Sequence, residues 1–147
     1  MKQTVKIKKL SEYAKVPKYA SVSAAGADLY AAVENSVIIK SGETYLVPTG
    51  ISMEIPEGFA GLIFARSGLA TKKGLAPANK VGVIDSDYRG EVMVALFNHS
   101  REDFTLERGE RIAQLVITPY LTAQFEETDA LSDTQRGEGG FGSTGNK

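Results

Sequence analysis

Apolar and polar positions alternate in short stretches along most of this chain. Between Lys2 and Gln124, runs of about four to eight residues are separated by turn signals, the pattern typical of β-strands. Examples are SVIIK, TYLVP, ISMEIP and FAGLIFA, which SGE, TG and EG interrupt. The stretches ISMEI (51–55) and VMVAL (92–96) have a period of two, which predicts strands with one buried face. The pattern therefore indicates an all-β protein.

Only one stretch is typical of a helix. In SGLATKKG, Ser67 is a possible N-cap and Gly74 a C-terminal stop, so one or two helical turns are expected. Another stretch, NKVGVIDSDYRGEV, reads as a hairpin with Asp85 and Asp87 at its tip. Its two arms would be the apolar residues of 81–84 and 92–96.

The last part of the chain divides into a strand and an arm. RIAQLVITPYLTAQF is the longest apolar run, and a strand buried on both faces explains it better than a helix interrupted by Pro119. EETDALSDTQ (126–135) is polar and has little to bury, which is typical of a linker. We therefore expect a barrel or jelly-roll-like domain over 1–125 and a flexible C-terminal arm over 126–147. Association of subunits is one way to cover its strand edges.

Composition excludes several classes of function. The 147 residues suit one domain, and 17 basic against 18 acidic residues give a net charge of −1, which argues against a nucleic-acid coat or a membrane-surface protein. The chain has no cysteine, so disulfides and thiolate chemistry are absent. Neither a secretory signal nor a membrane-spanning run is present in the sequence. These features lead us to expect a cytoplasmic protein.

Three polar clusters could carry chemistry, since the single histidine, His99, is expected in a surface loop and makes a poor zinc site. The Asp85 cluster, taken alone, also fits an Asp-rich turn whose side chains bond their own backbone. ARSGLA (65–70) offers a serine, an arginine and a helix start to an anion, although an ordinary N-cap explains this stretch better when it is taken alone. The glycine-rich tail supplies the third cluster.

The tail contains a misleading motif. Residues 140–145 spell G-x-G-x-x-G, but a dinucleotide site needs a strand before this sequence and a helix after it. Asn146 stands where a phosphate-binding P-loop requires lysine, and the sequence given ends one residue later. The tail therefore needs another explanation.

Five stretches together suggest one. AGADLYA (25–31), ARSGLA, NKVGVIDSDYRGEV (79–92), RGERIAQLV (108–116) and RGEGGFGSTG (136–145) resemble the five motifs of the trimeric dUTP pyrophosphatases in order and spacing. The resemblance implies a distorted jelly-roll or β-clip-like barrel that forms a homotrimer with sites at subunit boundaries. It also implies Mg²⁺-assisted hydrolysis of dUTP to dUMP and pyrophosphate, which limits uracil in DNA and supplies dUMP for thymidylate synthesis.

The resemblance implies a role for each matching residue. Asp85 would deprotonate the attacking water, and burial between apolar strands would suit it as a base. Gln114 would lie near the α-phosphate and this water. Tyr88 would lie flat on the deoxyribose and exclude a ribose 2′-hydroxyl. The base would be read by Asn79, Val81, Gly82, Val83 and Ile84, and covered by Phe141.

The remaining motifs would bind the triphosphate. Arg66, Ser67 and Gly68 map to phosphate binding, together with Gln114. Asp28 would act on Mg²⁺ through water, with the ion held mainly by substrate phosphates. The arm would cross to another subunit, where Arg136, Gly142, Ser143 and Thr144 would close over the phosphates.

Three other interpretations remain open at this stage. A dCTP deaminase on the same fold would need a glutamate at the pyrimidine 4-position, whereas the Asp85 stretch resembles the form that reads uracil. A dUTP-sensing interaction module would bind nucleotide and signal through partners. A purely structural jelly-roll would leave the polar clusters unexplained.

Overall fold

The computed structural model describes residues 3–140. Between Lys6 and Pro119 the chain forms short strands and one short helix. The strands are β1 (Lys6–Lys9), β2 (Lys18–Tyr19), β3 (Ala27–Tyr30), β4 (Val37–Ile39), β5 (Thr44–Pro48), β6 (Ile51–Glu54), β7 (Phe59–Phe64), β8 (Leu75–Pro77), β9 (Gly82–Ile84), β10 (Met93–Asn98), β11 (Phe104–Leu106) and β12 (Arg111–Pro119), and the helix is α1 (Ser67–Lys73). The prediction of an all-β, jelly-roll-like fold is confirmed.

The strands pair in antiparallel fashion in four small sheets. The largest has the order β2-β3-β12-β7-β9, and a second has the order β5-β10-β8. Two further pairs, β1 with β6 and β4 with β11, complete the barrel. Most neighbours are far apart in sequence, so the fold depends on long-range pairing.

The interior is filled by the apolar side of these strands. Val92, Val94 and Leu96 are all buried, as the period of two predicts, and they join a single core of buried aliphatic side chains. The neighbouring prediction for 51–55 is only partly right, because Ser52 is buried along with Ile51 and Met53. Strand β6 is covered on its second face by the rest of the barrel.

The predicted hairpin at Asp85 is wrong. Strand β9 pairs with β7, whereas β10 pairs with β5 and β8, so the two supposed arms belong to different sheets. A tight turn after β9 remains, closed by the bond from the Tyr88 N–H to the Asp85 carbonyl (3.2 Å). Each strand finds its partner elsewhere in the chain, and short-range periodicity carries no information about such partners.

The helix ends as predicted but begins differently. Gly74 has a left-handed backbone (φ 69°), and its N–H bonds to the carbonyls of Leu69 and Ala70. The N-cap is Arg66, without a side-chain capping bond, and Ser67 is the first helical residue. The expectation of a Ser67 N-cap is therefore wrong, and its hydroxyl is not used to cap the helix.

The last strand is buried on both faces over only part of its length. In β12, Ile112, Ala113 and Leu115 are buried, but burial decreases toward Pro119, so only the first half is enclosed on both faces. Residues 121–138 are exposed and carry no helix or strand. The division at residue 125 stays a prediction. His99 is exposed just after β10, as expected of a surface-loop histidine.

Within residues 3–140, no helix has both the length and the apolar character needed to cross a membrane.

Candidate active site

A polar cluster lies on the inner strands of the five-stranded sheet. Asp28 on β3 stands opposite Gln114 on β12, and Gln114 in turn stands opposite Phe64 on β7. Because Arg66 follows β7 by two residues, three separate motifs of the sequence meet here. The register of two strand pairs therefore brings Asp28, Arg66 and Gln114 together.

Two arginines hold the Asp28 carboxylate. Its Oδ1 accepts from Nε of Arg66 (2.9 Å) and its Oδ2 lies 3.3 Å from Nη1 of Arg111. The Asp28 side chain is only 12% exposed, against 26% for Arg66 and 50% for Arg111. Nη1 of Arg66 also donates to the Arg111 carbonyl (3.3 Å). The charges thus form one network whose cationic side reaches solvent.

Gln114 is fixed by a backbone bond and by a close glycine. Its Nε2 donates to the carbonyl of Ala65 (2.8 Å), the residue before Arg66. A Cβ atom built at Gly26 would lie 2.6 Å from Oε1 of Gln114 and 3.1 Å from the Gln114 Cβ. Any side chain at position 26 would therefore displace the Gln114 carboxamide. The bond to Ala65 uses the nitrogen and leaves Oε1 free to accept.

The arginines face an open cleft beside helix α1. The cleft has a volume of about 540 Å³ and is lined by Tyr30, Arg66, Leu69, Leu106, Gly109, Glu110 and Arg111. Ser67 and Gly68 are exposed at the start of α1, directly after Arg66. Because Arg66 and Arg111 share one carboxylate, some of their guanidinium N–H groups remain available as donors. These donors could bind a polyanion such as a triphosphate.

The residues predicted to read the base lie around strand β9. Asn79 is exposed in the turn before it, and the Val81 N–H donates to the Asn79 carbonyl (2.8 Å). Lys80, between them, has a φ of 67°, which is uncommon for a residue other than glycine. A Cβ at Gly82 would lie 3.4 Å from Nδ2 of Asn79, so this amide lies close to the backbone of β9.

Of the other β9 residues, Val83 faces outward, whereas Ile84 packs against the core. Val83 is exposed and Ile84 half-buried, and the edge of the sheet at β9 is unpaired over the described residues. Exposed main-chain donors and acceptors beside apolar side chains are what recognition of a base edge requires. The geometry is compatible with the predicted role, which stays a prediction.

The proposed general base is more open than expected. Asp85 is exposed in the turn after β9, so the expected burial between apolar strands is wrong for the single chain. The reason is the same as for the hairpin, since β10 does not cover this turn. Tyr88 is 44% exposed, and its hydroxyl donates to the Glu91 carbonyl (3.0 Å).

Within a single chain, the turn that carries Asp85 lies far from the charged cluster around Asp28. Strand β9 runs antiparallel to β7, with Gly82 opposite Ile63 and Ile84 opposite Gly61. The chain therefore moves away from Arg66 as it approaches Asp85. At ~3.3 Å per residue, the five residues from Gly61 to Arg66 correspond to roughly 16 Å of strand.

The arm is described only as far as Gly140. Arg136 lies in a local turn, where its Nε donates to the Gly139 carbonyl (2.7 Å). Phe141, Gly142, Ser143 and Thr144 lie outside the described residues. Their predicted roles at the base and the phosphates therefore stay predictions.

Comparison with known proteins defines the class. The dUTPase family model matches residues 12–145. The deoxyuridine 5′-triphosphate nucleotidohydrolases of Rickettsia felis and Rickettsia bellii are each 51% identical to this chain over 142 residues, which is 96% of the chain and 95–96% of theirs. The chain therefore belongs to the dUTPase family of nucleotide hydrolases.

Solved structures agree with this membership. The dUTPase of Staphylococcus bacteriophage 80alpha, as a mutant with dUpNHpp, superposes with a TM-score of 0.85 at 29% identity over 98% of this chain and 99% of that one. The dUTPase of phage phi11 of S. aureus, described with a structural Mg(II) ion, has a TM-score of 0.79 at 25% identity over 87% and 98%.

Arg111 is the residue of this cluster that sequence reasoning did not single out. It lies in RGERIAQLV, at the start of β12, where the pairing with β3 shifts between Arg111 and Ala113. A charged residue directly before a buried apolar run was the available signal. Its contact with Asp28 depends on that irregular register, which the sequence does not reveal.

Proposed function

We propose that this enzyme is a homotrimer that hydrolyses dUTP to dUMP and pyrophosphate with Mg²⁺. Water would attack the α-phosphorus while its proton passes to Asp85, and the bond from the α-phosphorus to the bridging oxygen would break to release pyrophosphate. One observation carries the proposal: strand register unites Asp28, Arg66 and Gln114, which come from three distant motifs.

The charged cluster would bind the triphosphate. Arg66 and Arg111 face the cleft. The Asp28 carboxylate, which pairs with both of them, keeps the two guanidinium groups oriented before substrate binds. Gln114 would direct its free Oε1 toward the α-phosphate and the attacking water. Ser67 and Gly68 would add a hydroxyl and backbone N–H groups at the start of α1.

The donor set fits Mg²⁺ only as an ion carried by substrate. Among residues 3–140, no three His, Cys, Asp or Glu side chains form a metal-ligand group. Both Asp28 oxygens have arginine partners, so this carboxylate would accept from metal-bound water and not replace it. When bound, Mg²⁺ would neutralise phosphate charge and so favour departure of pyrophosphate.

Neighbouring subunits would share each site. Because Asp85 and Arg66 stand at opposite ends of β7, an active site that uses both is best assembled from different chains. The arm adds a second reason, since Leu121, Phe125 and Leu131 are large apolar side chains left exposed on one chain. A neighbouring subunit would cover them and receive the tail with Arg136 and Phe141.

Substrate selectivity tests the reaction. Pyrophosphate release with Mg²⁺ should be fast for dUTP and slow for dCTP, dTTP, UTP and dUDP at matched concentrations. Ammonia from dCTP would support a deaminase instead. Tight dUTP binding without turnover would support a sensing role; the related phage 80alpha dUTPase is described as controlling transfer of virulence genes, which concerns that phage protein alone.

Mixed trimers test the shared site. Asp85→Asn should lose most turnover but keep nucleotide binding, and truncation after Gln135 should remove the closing tail. Mixing these two inactive proteins should restore part of the activity, because an intact Asp85 and an intact tail can then meet at one site. Each variant alone is the control. No recovery despite demonstrated subunit exchange would contradict the sharing of sites.

A further inference from the structure

The ring of Tyr88 lies directly against the backbone of Gly90. A Cβ atom at position 90 would overlap the Tyr88 hydroxyl oxygen and would lie 2.5 Å from Cζ and 2.9 Å from Cε2. These distances are below the 3.0 Å that real Cβ contacts respect. The ring can hold this position only because residue 90 has no side chain.

The hydroxyl end of the ring is anchored to the body of the barrel. Tyr88 Oη donates to the Glu91 carbonyl (3.0 Å), and Oε1 of Glu91 accepts from the N–H of Gly50 (2.7 Å). The next residue, Val92, donates from its N–H to the carbonyl of Ile51 (2.8 Å). The far end of the ring is therefore tied to the connection between β5 and β6.

Backbone conformation does not explain the glycine. Gly90 is not among the glycines with positive φ, so an alanine can adopt its backbone. The three nearest atoms all belong to the Tyr88 side chain, and this side chain is partly exposed. An added methyl group would push the ring outward and leave the turn intact.

We propose that Gly90 is a positioning residue that sets the sugar selectivity of the enzyme, by letting Tyr88 lie flat with its hydroxyl on the Glu91 carbonyl. This inference rests on the proposed function and on the contact between the Tyr88 ring and deoxyribose that the family resemblance implies. The Tyr88 ring can exclude the 2′-hydroxyl group of a ribose only if the ring does not move. Packing against Gly90 and the hydrogen bond to the Glu91 carbonyl keep the ring in one position.

The test compares dUTP with UTP. The ratio of kcat/KM for dUTP to kcat/KM for UTP should fall at least about tenfold in Gly90→Ala, the lower range for a misfit of methyl size in an enzyme pocket. Tyr88→Ala gives the reference value for an enzyme that lacks the aromatic ring. In the double variant, the ratio should equal that of Tyr88→Ala alone, because Gly90 acts only through the ring.

A second variant separates positioning from folding. Tyr88→Phe keeps the ring and Gly90 but removes the bond to the Glu91 carbonyl, so its selectivity should lie between wild type and Tyr88→Ala. Melting temperature and trimer content identify any variant that loses selectivity through poor folding. If Gly90→Ala misfolds, Tyr88→Phe tests the anchored ring position on which the role of Gly90 depends, and full selectivity in that variant would overturn the proposal.

The outcomes are distinct for the two proposals. Full selectivity in Gly90→Ala, together with its loss in Tyr88→Ala, would overturn the role of Gly90 and leave the proposed function standing. Full selectivity in Tyr88→Phe would overturn the anchoring by Glu91. A wild-type enzyme that hydrolyses UTP as well as dUTP would overturn both the sugar contact and the inference that depends on it.

Discussion

The Asp28 cluster and the Asp85 turn belong to the same five-stranded sheet but differ in how their polar groups are held. Asp28 and Gln114 lie on inner strands, and each has hydrogen-bond partners from another part of the same chain. Asp85 lies beyond the edge strand β9, exposed in a turn with local bonds. The inner strands thus preorganise charge within one subunit, whereas the edge leaves its reactive group to be enclosed by substrate or by another subunit.

The largest expected effect comes from breaking the inner cluster. Asp28→Asn keeps the shape of the side chain but leaves two guanidinium groups without their anionic partner. We expect the free energy of unfolding to fall by about 1–3 kcal/mol, the usual range for a part-buried hydrogen bond to a charged group. Urea unfolding at fixed protein concentration measures this, since assembly also contributes to stability.

An exposed ion pair provides the control for that variant. Glu54→Gln removes the partner of Lys6 on the β1–β6 pair, where both side chains are about half exposed or more. Its effect should be clearly smaller than that of Asp28→Asn. Equal or higher stability in Asp28→Asn would instead mean that the cost of burying the carboxylate offsets its bonds, so that the residue is retained only for substrate.

Sequence reasoning succeeded where the governing interactions are local. The period of two at 92–96 identified the buried residues Val92, Val94 and Leu96, and Gly74 identified the helix end. It failed where a strand chooses a distant partner: β9 pairs with β7 and not with β10. Arg111 was missed for the same reason, because only the register of β12 against β3 brings it to Asp28.

A smaller effect should follow from crowding Gln114. Gly26 has no positive φ, so Gly26→Ala is compatible with the backbone, but its methyl group would overlap the Gln114 carboxamide. We expect kcat for dUTP to fall roughly tenfold, equivalent to about 1.4 kcal/mol of barrier. Steady-state kinetics of pyrophosphate release measures the change.

The Gln114→Ala background separates steric displacement from general damage. Of the three nearest atoms to a Cβ at Gly26, the alanine variant removes two and keeps the Cβ of residue 114 at 3.1 Å, so Gly26→Ala should cause little further loss of kcat in that background. Two losses that simply multiply would contradict the idea that Gly26 acts by making room for Gln114. The inner cluster would then depend on the strand backbone and not on this side-chain contact.

The smallest expected effect concerns pH and the exposed pair near the turn. A hydrogen bond from Lys6 (2.8 Å) and the Lys6 charge lower the pKa of Glu54 from its usual 4.5, and the Arg89 charge lowers it further. A lowered pKa in the folded state means that the pair stabilises the protein above the unfolded pKa and loses this contribution as pH falls through the folded value. The stability advantage of wild type over Glu54→Gln should therefore be complete above about pH 5.5 and shrink as pH falls through 4.5 and then through the lower pKa of the folded state, and added salt should reduce it at the higher pH. Parallel urea unfolding curves for the two proteins measure it, and a difference independent of pH would assign the effect of the variant to packing and not to charge.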